Sequence, residues 1–263
     1  VDLGLAGKRA LVTGASRGLG LAVARALAAE GCRVALVARG AEALAAAARD
    51  IRRDFGGEAV PLAGDVSCAD DVSRILQGTL QAFAGLDILV TNSGGPPPGT
   101  FLDFDDQAWY RAFDLLVMSV VRLARGVLPH MIQAGGGTLL ALTSVSVKQP
   151  LPDLLLSNSL RLAVVGLIRT LADEVGPHGI RVNALLPGFT ATERLRQLFA
   201  ARAAASGQSP EEVARRTAEQ VPLRRLGEPA EVAAAAAFLC SPRAGYIHGA
   251  CLAVDGGFLR PML

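Results

Sequence analysis

The stretch Thr13-Gly14-Ala15-Ser16-Arg17-Gly18-Leu19-Gly20 decides how this chain folds. An apolar run, Ala10-Leu11-Val12, comes just before it, and an amphipathic run, Leu21 to Ala29, comes just after. That order predicts strand, glycine-rich turn, helix. Gly14 lets the backbone turn sharply, Gly18 lets it approach a phosphate, and Gly20 lets the helix pack against the strand. The unpaired N–H groups at the helix start then face an anion, with Ser16, Arg17 and Leu19 completing the loop around it. Turns with several glycines are common in proteins of every kind. Placed between a strand and a helix, at the head of an α/β alternation, this one predicts a dinucleotide site rather than a plain tight turn.

The remaining chain supports that expectation. With 263 residues, 51% hydrophobic and 19% charged, it is too apolar for a disordered protein and long enough for a large core. A net charge of +2, with no lysine/arginine cluster, argues against a nucleic-acid partner. Cys32, Cys68, Cys240 and Cys251 are scattered and fit neither a disulfide framework nor a zinc site, so no metal is expected. They read as buried thiols in a reducing compartment. No uncharged apolar stretch is as long as a membrane span and no leader pattern opens the chain, so the expected location is the cytoplasm.

Strands are expected at Arg33–Ala38, Glu58–Ala63, Leu86–Thr91, Thr138–Thr143, Arg181–Leu186 and Ala250–Val254, alternating with helices. This predicts one doubly wound Rossmann-type α/β domain over residues 1–263, with about seven parallel strands and helices on both faces. Asp105 to Met131 reads as one long helix, and Leu154 to Val175 as another. Residues 191–220 are helical but Ala/Arg-rich and interrupted at Ser206–Pro210, the expected place for a substrate lid.

Ligands of such sheets bind beyond the carboxyl ends of the strands. At the end of the second strand stands Arg39, where an acidic residue would hold the ribose hydroxyls of NAD. An arginine, with Arg17 nearby, suits the extra 2′-phosphate of NADP(H), against the alternative of two solvated surface arginines. Asp65, before Val66, either accepts from the adenine amino group or begins a turn. Asn92 and Gly94 end the fourth strand and should border the cofactor. The stiff run Pro96-Pro97-Pro98-Gly99 follows as a rigid lip.

Taken together, these motifs resemble the short-chain dehydrogenase/reductase family, and within it the 3-oxoacyl-carrier-protein reductases. The resemblance runs from Gly7 to Gly257. TGASRGLG is similar to the family's TGxxxGxG turn, Gly64-Asp65-Val66 to its adenine-contacting segment, and Thr91-Asn92-Ser93-Gly94 to its NNAG motif. Pro187-Gly188, followed by Thr192, resembles its PG turn and the threonine that holds the nicotinamide carboxamide. Asp255-Gly256-Gly257 matches its C-terminal signature. The resemblance implies a small-molecule carbonyl or alcohol substrate and a homotetramer or dimer. Apolar residues at Val117–Val121 and Leu162–Ile168 are the expected pairing faces.

The catalytic set departs from the family pattern. Ser144 stands at the serine position, but thirteen residues on stands Ser157 rather than tyrosine. Four beyond it stands Arg161 rather than lysine, and Leu116 occupies the place of the relay asparagine. The only tyrosines, Tyr110 and Tyr246, lie elsewhere, as do all three histidines. Ser157 and Arg161, four apart, share a helix face. The expected chemistry is therefore a Ser144/Ser157/Arg161 site: two hydroxyl donors and a fixed charge holding ribose hydroxyls and a developing oxyanion, with water as proton source. Lys148 is a further titratable candidate, more ordinarily solvated. The alternatives are a dinucleotide binder without hydride transfer, acting as sensor or scaffold, and a non-redox enzyme in the same cleft.

Overall fold

Seven strands, all parallel, form one sheet in the order β3-β2-β1-β4-β5-β6-β7 in the computed structural model, which describes residues 1–260. They are β1 (Arg9–Thr13), β2 (Arg33–Ala38), β3 (Ala59–Ala63), β4 (Ile88–Thr91), β5 (Gly137–Leu142), β6 (Ile180–Pro187) and β7 (Cys251–Val254). The central strands are near-continuous Val/Leu/Ile/Ala runs because both faces are covered by helices. The strand order reverses between β1 and β4, so the crevice at their carboxyl ends is the ligand position for this topology.

Helices α1 (Gly18–Ala29), α2 (Ala41–Phe55) and α9 (Pro229–Cys240) cover one face. Helices α3 (Ala69–Phe83), α5 (Ser119–Gln133) and α6 (Leu155–Val175) cover the other, preceded by the short α4 (Asp106–Phe113). Leu11, Leu89, Leu139 and Val182 fill the α5/α6 face, while Val12, Leu36, Val90 and Leu185 fill the α1/α9 face, each with no exposed surface. This alternation is the period-two pattern of a strand buried on both sides. Among the described residues, the stretches 106–133 and 155–178 are long and apolar enough to cross a membrane by length and composition. Both pack on the sheet.

Three expectations need correction. Cys32 and Cys240 are buried, but Cys68 is exposed and Cys251 half-buried, so not all four thiols lie in the core. The helix over 105–131 is not continuous: a five-residue π-helical segment, Asp114–Met118, separates α4 from α5. Periodicity cannot signal the one extra residue per turn that this needs. Val117 and Val120 are buried in the core, so the apolar surplus at 117–121 is packing rather than an external face. Exposed apolar residues nearby are Phe101, Leu102, Tyr110, Phe113, Ile132 and Leu162. The segment after β5, Val145–Val147, is a 3-10 turn capped by Ser144.

The excursion after β6 consists of α7 (Glu193–Ser206) and α8 (Pro210–Gln220), joined through Gly207. Leu195, Phe199, Ala203 and Val213 form a small core of their own. Its ends are pinned together, with Ala191 N–H donating to Gly227 O at 2.8 Å and Gly227 N–H to Phe189 O at 2.9 Å.

Candidate functional site

The glycine turn and the end of β4 are built as one piece. Thr13 Oγ1 donates to the Asn92 carbonyl at 2.7 Å and accepts from Asn92 N–H at 2.8 Å. A Cβ at Gly14 would stand 2.5 Å from Asn92 Nδ2, and one at Gly20 only 2.2 Å from the Gly14 carbonyl oxygen. Glycine is required at both positions by close approach. The Asn92 side chain thus braces the turn. Gly18 has φ +58°, and the nearest side chain to a Cβ built there is that of Thr192, at 3.8 Å. The phosphate-type turn and the PG-loop threonine therefore face one another across the crevice. Helix α1 begins with no side-chain cap and no acidic residue in its first turn, leaving its N–H groups for an anion. These features fit a dinucleotide pyrophosphate, with the partly exposed Ser16 and Leu19 beside it.

At the β2 end, Arg17 and Arg39 are both exposed. Arg39 Nη1 stands 3.8 Å from Asp65 Oδ2, with 79% of its side chain exposed. Asp65 Oδ1 accepts from Ser67 N–H at 2.9 Å and Ser67 Oγ at 2.7 Å, so the carboxylate serves as a turn cap. Only Oδ2 remains for an external donor. The Val66 side chain packs in the core, which leaves its backbone as the group able to meet a ligand. Gly94 is exposed with no atom near a built Cβ, whereas one at Gly188 would strike Asp255 at 2.7 Å. Pro187 ends β6 and is buried, and Gly188 N–H donates to Val254 O at 3.0 Å. This pair therefore seats the PG turn on the Asp255-Gly256-Gly257 segment. Thr192 caps α7, its Oγ1 accepting from Leu195 N–H at 3.3 Å.

The altered catalytic residues gather at the end of β5. Arg161 Nε donates to Ser157 Oγ at 3.0 Å, and Nη1 points at the Thr143 and Leu142 carbonyls at 3.3 and 3.4 Å. Ser157 is only 8% exposed. The Ser144 hydroxyl accepts from Ser146 N–H at 3.1 Å and keeps its own proton to donate. Leu116 lines the same small cavity as Arg161, Thr91, Asn92 and Thr143, which agrees with its count to the relay position. The Thr91 hydroxyl in that cavity is buried without a protein partner. Burial first, and the charge of Arg194 second, push the Arg161 pKa down to about 10. It stays a cation at neutral pH. Lys148 is exposed. Asn158, adjacent to Ser157, ties down the preceding loop, donating to Leu151 O at 2.9 Å.

Sequence reasoning missed two site features. Thr13 opens the glycine-rich stretch with no role of its own in the sequence, yet it holds Asn92 in place. Arg194 reads as one of many arginines in the 191–220 region, yet its Nη2 donates to Pro96 O at 2.6 Å, reaching from α7 to the proline lip. A signal for it exists: a cation in the first turn of a helix opposes the macrodipole.

Comparisons with known proteins agree with this architecture. A family model described as Enoyl-(Acyl carrier protein) reductase matches residues 14–259. The chain is 34% identical to human dehydrogenase/reductase SDR family member 4, over 96% of this chain and 88% of that protein. It is 32% identical to 7alpha-hydroxysteroid dehydrogenase of Escherichia coli K12, over 99% and 98% of the two chains. Among solved structures, L-sorbose reductase from Gluconobacter frateurii, complexed with NADPH and L-sorbose, superposes over 100% of both chains with a TM-score of 0.95 at 36% identity. With the glycine turn, the braced β4 loop, the PG turn and the parallel sheet all in the family's order, the chain belongs to the short-chain dehydrogenase/reductase family, an enzyme class of oxidoreductases acting on carbonyl and alcohol groups.

Proposed function

We propose that the protein is an NADP(H)-dependent reductase or dehydrogenase of a 3-oxoacyl-like carbonyl or alcohol compound, with Ser144, Ser157 and Arg161 in place of the family's serine, tyrosine and lysine. The observation that carries this is the Arg161 guanidinium, hydrogen-bonded to Ser157 at the end of β5, beside an intact glycine cradle. NADP(H) over NAD(H) is supported by the two exposed cations at the adenosine end, Arg17 and Arg39.

When bound, the nicotinamide supplies or accepts a hydride. Arg161 holds a fixed positive charge beside the reacting oxygen and offers its outer N–H groups to ribose hydroxyls. Ser144 has a free hydroxyl proton to donate to that oxygen. Because Arg161 keeps its proton at neutral pH, the proton that completes reduction comes from water reaching the open cleft. Helices α7 and α8 form the lid that limits that access. The exposed apolar residues Tyr110, Phe113 and Leu162 support a two-fold homo-oligomer.

A dinucleotide binder without hydride transfer is the second reading, favoured by Leu116, an apolar side chain where a proton relay would pass. NADPH oxidation followed at 340 nm over a panel of 3-oxoacyl thioesters, ketones and keto sugars separates the two. Turnover that is lost in both Ser144→Ala and Arg161→Ala supports the reductase. No turnover in the wild type, with activity gained in the Ser157→Tyr/Arg161→Lys double variant, identifies a binder.

A further inference from the structure

The small cavity at the ends of β4 and β5 is lined by one cation, Arg161, and no acid, and Arg194 stands beside it on the loop after β4. Arg161 uses Nε and Nη1 on Ser157 and the β5 carbonyls, and its Nη2 has no acceptor among the described residues. Arg194 spends only Nη2, on Pro96 O, leaving Nε and Nη1 free. Its guanidinium lies across Gly95, where a Cβ would come within 3.0 Å of Nη2 and 3.2 Å of Nε. A residue with a Cβ at position 95 would push the Arg194 guanidinium away by a few tenths of an ångström. Ser93, two residues earlier, lines the same cavity as Arg161, so the two guanidiniums meet the same short loop after β4.

Arg9 pairs with Asp87 at 2.7 Å and Arg122 with Asp114 at 2.8 Å, while the part-buried Arg181, which has no carboxylate, spends both Nη groups on three carbonyls and the Thr138 hydroxyl. Neither Arg161 nor Arg194 forms an ion pair among the described residues. Two desolvated like charges without a counter-ion are costly. Burial lowers the pKa of both, and Arg194 lowers that of Arg161 further. Arg194 also sits in the first turn of α7, where the helix dipole disfavours it. Such local conflicts are retained where a ligand resolves them.

We propose that Arg194 anchors an anionic group of the substrate, with the Arg161 charge attracting it, and that this group is a carboxylate carried by the carbonyl or alcohol compound itself, making this protein an oxo-acid or hydroxy-acid oxidoreductase. Nη2 of Arg194 carries two N–H groups; one is spent on Pro96 O, and the other, beside the free Nε or Nη1, suits a carboxylate held by paired hydrogen bonds. This inference rests on the reductase reading for the word oxidoreductase, but not for the anion site. The cofactor's own phosphate is the other source of the same chemistry.

The test uses the full-length wild type and Arg194→Met. NADPH affinity is measured by fluorescence titration, and acetoacetate, 3-oxohexanoate and 2-oxobutanoate are compared with their methyl esters. Equilibrium binding to the NADP-saturated protein is followed by calorimetry and turnover at 340 nm. The expected result is that at least one acid binds about tenfold or more tighter than its ester. In Arg194→Met that ratio falls to near one, while NADPH affinity changes less than twofold. An Arg194→Met that weakens NADPH tenfold and leaves the acid-to-ester ratio intact assigns the anion to the cofactor and overturns the proposal. Acids binding no tighter than their esters overturn it too. Acid-selective binding without turnover keeps the anion site and removes the reductase reading instead.

Discussion

Replacing Arg161 with methionine should make the ligand-free protein more stable, and the structure sets the size of the effect. Moving an arginine from its ordinary value down to about 10 corresponds to about 3 kcal/mol of desolvation and like-charge repulsion. Part of the Arg161 side chain still meets solvent, which screens that figure to about half. Against it stands the Ser157 bond at 3.0 Å, about 1 kcal/mol. The carbonyl contacts at 3.3 and 3.4 Å are long, and water entering the cleft can replace them. Methionine keeps the apolar stem and its packing against the core. The net gain is about 1 kcal/mol, or about 2–4 °C in Tm for a domain of this size.

The sign with pH follows from linkage. Between about pH 10 and the ordinary arginine value the unfolded chain holds more protons than the folded one, so wild-type stability rises with pH there. The cost of the charge is fully present below about pH 10. The advantage of Arg161→Met should therefore be constant from pH 6 to 9 and shrink above about pH 10. Urea unfolding at pH 6, 7.5 and 9, with and without NADPH, measures it. Saturating NADPH should reverse the order, because only the wild type gains a partner for its guanidinium. A loss of more than 1 kcal/mol in the ligand-free variant would refute the reasoning, since the carbonyl contacts would then outweigh desolvation.

Three further outcomes are expected. Gly20→Ala should lose about 3 kcal/mol or fail to fold, its Cβ striking the Gly14 carbonyl at 2.2 Å, while Gly18→Ala, with nothing nearer than 3.8 Å, should cost about 1–2 kcal/mol for its φ of +58°. Urea midpoints and NADPH titration distinguish them, the Gly18 variant folding but binding dinucleotide poorly. Arg39→Asp, at a side chain 79% exposed, should leave Tm unchanged and shift the NADPH-to-NADH affinity ratio about tenfold or more toward NADH, about 1.4 kcal/mol. Equal ratios before and after would remove the adenosine-end argument. Leu162→Glu, at an exposed apolar position on α6, should lower the mass seen by light scattering without unfolding the monomer.

The order of elements was legible in the residues because it is local chemistry. The glycine turn, the buried Val/Leu/Ile runs and the Pro187-Gly188 break each announce their own backbone state over a few positions. Counting along the family's motif put Ser157 and Arg161 four apart on one helix face, and the structure joins them by a hydrogen bond at 3.0 Å. What neighbours those groups have was not legible. That Asp65 spends one oxygen on Ser67, that Val66 turns into the core, and that Asp114–Met118 winds as a π-helix all depend on packing between elements. The absence of a carboxylate beside Arg161 depends on every loop around the cleft at once. Arg194 reaches Pro96 across 98 positions of sequence, a contact made only when α7 and the proline run are folded over the same strand ends. Sequence carries the type of each charge, but its solvation and its partners are properties of the enclosed space, and that space exists only in the assembled fold.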